Sequence, residues 1–431
     1  MRNMLTAAVT SALCGYLGIA GAQSMDFDPI PASAYVESTT DKTILGTAPW
    51  LIPDGYSQRI VSDETDLNIY QLSDRPAFIV TNETGPLAGR YLYRTHETYP
   101  GKDAHLDGRT SGGALSVVDL ETGVAQLLAS RSDWEELDGL TWTPWGSLLF
   151  AEETDEPHYP DPGYPDAKRG LVYELKLNKD DPTVAQSVTA LPSLGAVRHE
   201  AIEFDRKGNI YLSSSNRDSF IYKFVPKRRG DLSKGQLYAL RIKTGGQTGK
   251  AKWIPLNMKQ ARIDAHEAAR AAKATPYCNP EDIELIGQKL YVAVKCEPRI
   301  DGIDGPGVVL SITLGNKPRV AYFIEVGKNV PAQDAAAGIT GFFRPETLAA
   351  GPDGKLWITE DTQPSDIWVA DTDTGDDGLS TPVSLFASLK DKEATGTGVY
   401  FGSDPGTLYV NIQDSSTGND KTMAIIDQHS H

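Results

Sequence analysis

Cysteine and histidine are scarce in this chain, with three of the first and seven of the second in 431 residues. Two of the histidines, His429 and His431, fall in the last three positions, which argues against a His-rich zinc site. A Gly-x-Ser-x-Gly elbow, a His-Glu-x-x-His helix, a phosphate-cradling glycine loop and a dinucleotide fingerprint are all missing. Basic residues are in deficit too: 41 Lys+Arg face 58 Asp+Glu, a formal net charge of −17. Nucleic acids and anionic membranes both demand a basic face, so neither is an expected partner. Beyond the N-terminus, no apolar run is long enough to cross a bilayer.

The N-terminus itself reads as a secretory signal. Arg2 precedes the mostly apolar, small-residue stretch Met4 to Ala20, and Ala20-Gly21-Ala22 offers a cleavage site. The expected organisation is a signal peptide over residues 1–22 and a single domain over 23–431. The mature protein would be periplasmic or secreted, with no integral membrane segment after signal cleavage. Cleavage also removes Cys14 and leaves Cys278 and Cys296, an even pair suited to a disulfide in an oxidising compartment. A thiolate metal ligand is the other reading of these two.

What is abundant is strand signal. Gly89-Arg-Tyr-Leu-Tyr, Gly146-Ser-Leu-Leu-Phe, Gly208-Asn-Ile-Tyr-Leu, Gly287-Gln-Lys-Leu-Tyr, Gly354-Lys-Leu-Trp-Ile and Gly406-Thr-Leu-Tyr-Val repeat one turn-then-strand pattern. Six such units predict an all-β, six-bladed β-propeller. A short helical insertion is expected around residues 258–274, solvated, with His266 at its surface. Lys227-Arg228-Arg229 and Asp371 to Gly378 read as turns.

A carboxylate holds a fixed place in this beat. Glu200, Glu281 and Glu346 each open a short apolar strand that runs into a Gly turn and a second strand. The first strand of each propeller blade lines the central channel, so these residues converge on one mouth. Buried unpaired carboxylates are costly, whereas several around one cation are stable; calcium takes six to eight such oxygens. Glu97, Glu152 and Glu153, and Asn216 and Asp361 just past second strands, are further candidate ligands. Asp218 and Glu360 are candidates on the same ground, His96 and His199 would orient neighbouring carboxylates or cap turns, and Glu203 and Glu284 are expected to face water.

These segments, taken in order, resemble the PhoX-type alkaline phosphatases. The resemblance is carried by Tyr91-Leu-Tyr-Arg-Thr-His96-Glu97, Thr143-Pro-Trp-Gly-Ser-Leu-Leu-Phe-Ala-Glu152-Glu153, His199-Glu200-Ala, Tyr222-Lys-Phe-Val and Pro280-Glu281. Gly354-Lys-Leu-Trp-Ile-Thr-Glu-Asp and Leu408-Tyr-Val-Asn-Ile-Gln complete it. It implies a secreted propeller that hydrolyses small phosphate esters with calcium and iron. Glu200 and Glu281 would sit at iron-binding glutamates and Glu97, Glu152 and Glu153 among calcium ligands, while Arg344, in a neighbouring repeat, would partly replace the phosphate-clamping arginine that this chain lacks at Asn279. Two positions depart from the family pattern. Ala151 replaces an iron-binding cysteine, and Asn279 replaces an arginine before the Pro-Glu step. A calcium-dependent lactonase or phosphotriesterase-like propeller, and a non-catalytic calcium-stabilised envelope binding protein, are the alternative readings.

Overall fold

A computed structural model describes residues 25–31, 38–67, 75–98, 113–155, 157, 159–333 and 341–429. The expected signal peptide lies outside them. Among the described residues no helix is long and apolar enough to cross a membrane.

The strands assemble into six antiparallel blades. Their innermost strands are Pro76–Thr81, Leu137–Trp142, His199–Phe204, Pro280–Ile286, Pro345–Ala350 and Thr395–Phe401. Each packs beside the next, and the sixth packs beside the first, so the ring is closed. The strands after the glycine turns are second in their blades: Tyr91–His96, Leu148–Glu152, Ile210–Ser214, Lys289–Val294, Leu356–Glu360 and Thr407–Gln413. They are almost wholly buried because neighbouring blades cover both faces, which is why they read as apolar runs rather than alternations. Closure is made by Tyr56–Asp63, which joins the sixth blade as its outer strand beside Lys421–Asp427. The third and fourth blades also touch at their rims, where Gly249 and Lys250 pair with Val320 and Arg319 in a nine-stranded sheet.

Close approach near the axis depends on a small residue. A Cβ on Gly139 would lie 2.1 Å from the Glu200 carbonyl oxygen of the next blade. Elsewhere side chains stitch the ring: Asp282 Oδ2 accepts from Leu348 N at 2.7 Å, and Thr347 Oγ1 accepts from Val399 N at 3.3 Å.

The insertion after the third blade forms two short helices, Met258–Ala261 and Ala265–Ala271. It is not solvated as expected. Ala261, Ala265, Ala268 and Ala269 join the apolar core of the third blade, and His266 is buried against Phe220 with Arg270 at 2.9 Å. Alanine supplies an apolar stripe too slight to stand out among Arg, Lys and Glu. Asp371 to Gly378 falls in a hairpin connection, as expected, whereas Lys227 and Arg228 extend the strand Tyr222–Arg228 and only Arg229 lies in the turn.

Cys278 and Cys296 form a disulfide 18 residues apart. It joins the segment leading into the fourth inner strand to the segment leaving the second. Replacing both cysteines by serine is expected to lower unfolding free energy by about 3 kcal/mol, the loop-entropy value for this length. Urea denaturation checks it.

Candidate metal centre

One local geometry recurs in all six blades. The first residue of the inner strand pairs with the last of the second strand: Pro76 with His96, Leu137 with Glu152, His199 with Ser214, Pro280 with Val294, Pro345 with Glu360, Thr395 with Gln413. A register shift follows that pair directly in the first five blades and comes after Thr397 in the sixth, and such bulges re-aim side chains. In five blades the residue after the second strand donates its N–H to the carbonyl of the residue before the inner strand. The bonds run Glu97 to Arg75, Glu153 to Glu136, Ser215 to Arg198, Lys295 to Asn279 and Asp361 to Arg344, at 2.8–3.2 Å.

Three positions per blade thereby reach one mouth of the channel. The second residue of the inner strand supplies Asp138, Glu200, Glu281 and Glu346. The residue after the second strand supplies Glu97, Glu153, Ser215, Lys295, Asp361 and Asp414, and the one before the inner strand supplies Arg75, Arg198 and Asn279. They surround a cavity of 270 Å³ holding eight carboxylates and three fixed cations.

Two trios of carboxylate oxygens cluster there, Glu97–Asp138–Glu153 and Glu200–Glu281–Glu346, each with its oxygens within 4.8 Å of one another. Oxygens about 2.4 Å from a shared calcium span the same distance, so the spacing suits that ion. Glu200 lies within hydrogen-bond reach of both Asp138 and Glu153. Such carboxyl–carboxyl contacts persist at neutral pH only with a shared proton or a cation between them. Burial, and then the neighbouring carboxylates, raise Asp138 and Glu200 well above the usual carboxylate range. Burial lifts Glu153 to about 8 although the Arg198 guanidinium opposes it. The Glu200 Oε2 atom is buried without a hydrogen-bond partner. An all-oxygen, hard and unsatisfied donor set fits calcium.

The fixed cations are distributed around the ring. Arg198 Nη2 lies 2.7 Å from Glu153 Oε1, and Arg75 stands 3.2 Å from both Glu97 and Asp414. Lys295 Nζ contacts Glu346 at 2.7 Å, Asp361 at 3.2 Å and Glu281 at 3.3 Å. Burial works against its charge, but these carboxylates outweigh burial and push the ammonium pKa well up. Asp361 is held low by Lys295 and Arg344 despite burial.

Residues 139–416 match the family model of alkaline phosphatase PhoX. The chain belongs to the PhoX family. Among solved structures, Pseudomonas fluorescens PhoX in complex with vanadate, a transition state analogue, superposes with a TM-score of 0.68 at 18% identity. That match covers 94% of this chain and 98% of that one. At that identity the likeness speaks for the fold. Weaker matches include Kuenenia stuttgartiensis hydrazine synthase, with TM-score 0.43, 13% identity and coverage of 80% and 94%. Another is a Thermus thermophilus putative glucose dehydrogenase, with TM-score 0.46, 15% identity and coverage of 86% and 100%. No curated protein matches the sequence.

Of the site residues read from the sequence, this PhoX member gathers Glu97, Glu153, Glu200, Glu281, Glu346 and Asp361 around the cavity. Glu152 is elsewhere: strand alternation turns it from Glu153 into the blade, where it accepts from Glu135 N, Leu171 N and the Tyr173 hydroxyl. Asn216, one residue past Ser215, points outward and donates to Asp155 at 2.6 Å. Arg344 sits at the rim, 2.6 Å from Asp361. Glu360 accepts from Phe343 N, Asp218 pairs with Arg299, and His199 and His96 bond Gly195 O and Ser116 Oγ. Ala151 belongs to the apolar core. With Cys278 and Cys296 joined, no free thiolate comes from the described residues.

Asp138, Lys295, Arg75 and Arg198 were missed by sequence reasoning. Their signal was register: Arg75-Pro76, Arg198-His199 and Arg344-Pro345 put arginine before three inner strands, and Leu137-Asp138 repeats His199-Glu200 with a shorter acid.

The opposite mouth opens on a 570 Å³ cavity lined by Phe78, Trp142, Phe204 and Tyr400 together with Glu203 and Glu284. These two glutamates do not simply face water. Burial and then Asp282 lift Glu284 to about 8, while burial and then Glu284 lift Glu203 well above its ordinary value. A raised folded-state pKa gives stability that is full below the unfolded value and lost as pH rises through the folded one. The melting temperature is therefore expected to fall between about pH 4.5 and 8. Glu203→Gln with Glu284→Gln should flatten that slope; an unchanged profile by calorimetry would show that other groups set it.

Proposed function

We propose that this protein is a periplasmic or secreted phosphoesterase that hydrolyses small phosphate monoesters with calcium held in the channel mouth. The observation that carries this is the charge balance of the cavity. Eight carboxylates against three cations would repel a phosphate dianion, so an anionic substrate enters only if divalent cations are bound first. Glu97, Asp138, Glu153 and Glu200 are the residues that would hold calcium. Calcium held there would supply positive charge to neutralise the phosphoryl oxygens and the charge that develops on them.

The chain's own groups do the rest. Arg198 and Arg75 border the same volume, and guanidinium forks match phosphate oxygens in pairs. Arg344, tethered to Asp361 at the rim, draws the anion towards the mouth. Glu200, with its Oε2 buried and unpartnered at the cavity wall, is placed to take a proton from the attacking water. Glu281 is fixed by Lys295 and keeps the neighbouring wall in register. The all-oxygen donors favour calcium over iron, since Ala151 offers no ligand. The disulfide supports an oxidising compartment.

The test is turnover of p-nitrophenyl phosphate by the mature chain after chelation and after calcium return, beside a panel of lactones. Calcium-restored phosphate release that vanadate blocks is the expected result. Turnover that survives full chelation, or lactone hydrolysis without phosphate release, would overturn the assignment.

A further inference from the structure

The ring position just past each second strand is acidic in four blades, at Glu97, Glu153, Asp361 and Asp414. In the fourth blade the same position is Lys295. Its charge is reversed, yet its backbone is held the same way, by Lys295 N donating to Asn279 O at 2.9 Å. The Cys278–Cys296 bridge adjoins both residues of that bond and fixes where the ammonium starts from.

The ammonium enters the second trio. It is the only cation within 4 Å of Glu281 Oε1 and Glu346 Oε2 among the described residues. The contacts are ionic, at 3.3 and 2.7 Å, with Asp361 as a third partner at 3.2 Å. A calcium ion would need those same oxygens at about 2.3–2.6 Å. Two positive centres sharing them would repel each other in a poorly solvated cavity. Across the axis no lysine intrudes among the described residues. Arg198 and Arg75 approach Glu153 and Glu97 from their flanks, and Glu200 Oε2 remains buried and unpartnered.

We propose that Lys295 stands in for a metal ion. Its ammonium neutralises Glu281, Glu346 and Asp361, and divalent cations bind only at the half formed by Glu97, Asp138, Glu153 and Glu200. The inference rests on the calcium reading above and deepens it. The channel mouth is a mixed centre, with one half neutralised by a covalently tethered charge and the other by exchangeable calcium. A tethered cation cannot be chelated away, so the second half stays neutralised in metal-free protein.

The experiment counts calcium bound to the full mature chain by equilibrium dialysis and titration calorimetry, for wild type, Lys295→Met and Glu346→Gln. Lys295→Met frees the second trio and is expected to bind one more calcium than wild type. Glu346→Gln, which removes a ligand that metal does not use, is expected to bind as many as wild type. If Lys295→Met folds poorly without calcium, the Glu346→Gln count decides alone. Equal counts for wild type and Lys295→Met, or loss of one ion in Glu346→Gln, overturn the proposal and leave the calcium reading standing. No calcium bound by any of the three overturns both. Counts as expected without phosphate release sink the phosphoesterase reading alone.

Discussion

Asp138→Asn is expected to lower calcium affinity by about 10²-fold, because loss of partners outside the ligand shell already costs 10–100-fold in comparable sites. Turnover at fixed calcium should fall by about 10²–10³-fold, the scale set by removing one preorganised electrostatic contributor. The change keeps size and shape, so it isolates the charge. Asp138 clusters with Glu97 and Glu153, and burial, then Glu153, Glu97 and Glu346, raise its pKa against the opposing hydrogen bond with Glu200. In calcium-free protein the amide relieves like-charge crowding, and the variant should melt at a higher temperature than wild type. With saturating calcium the order should reverse. A residue with only a structural role would destabilise both forms alike. Melting curves with and without calcium, beside a calcium titration, separate the two.

Arg198→Met should act on substrate rather than metal. Its Nη2 lies 2.7 Å from Glu153 Oε1 and its Nε donates to the Glu153 carbonyl at 3.2 Å, which holds the guanidinium at the wall of the cavity. Hydrogen bonds to charged groups contribute about 1.5–3 kcal/mol each, so kcat/KM for p-nitrophenyl phosphate should drop by about 10²-fold. Inhibition by vanadate should weaken in parallel, and the calcium count should stay the same. Arg198→Lys should recover only part of the loss, since a point charge cannot make a paired contact. A variant with normal kcat/KM would remove Arg198 from the substrate site.

The blade architecture was legible because a glycine turn followed by a buried strand recurs six times, and the inner-strand glutamates because they share one place in that repeat. What escaped notice did so for local reasons. Asp138 is followed by Gly139, so the apolar run that marks an inner strand is interrupted just where the acid stands. Gly139 is there because the Glu200 backbone passes too close for a side chain. Lys295 was overlooked because a search for ligands looks for acids, and a basic residue in the same register neutralises them from within. Glu152 and Asn216 each stand one residue from a side chain that does face the cavity. One residue is the resolution that strand alternation demands and that sequence patterns rarely supply. Buried His266 shows a related limit, since an alanine face carries little hydrophobic signal.

The strand that closes the ring sets the order in which the molecule can be finished. Tyr56–Asp63 is made early and must wait for Lys421–Asp427, the last strand, before the sixth blade has its outer edge. Thr395–Phe401 and Thr407–Gln413 already pack on the first blade, and Arg75 reaches Asp414 across that junction, but until then the outer side of the sixth blade stays open. Contacts so far apart in sequence make folding slow and leave strand edges unpaired meanwhile. A chain stalled or clipped before residue 421 would therefore carry every residue that lines the central cavity but leave Tyr56–Asp63 without the strand it pairs with.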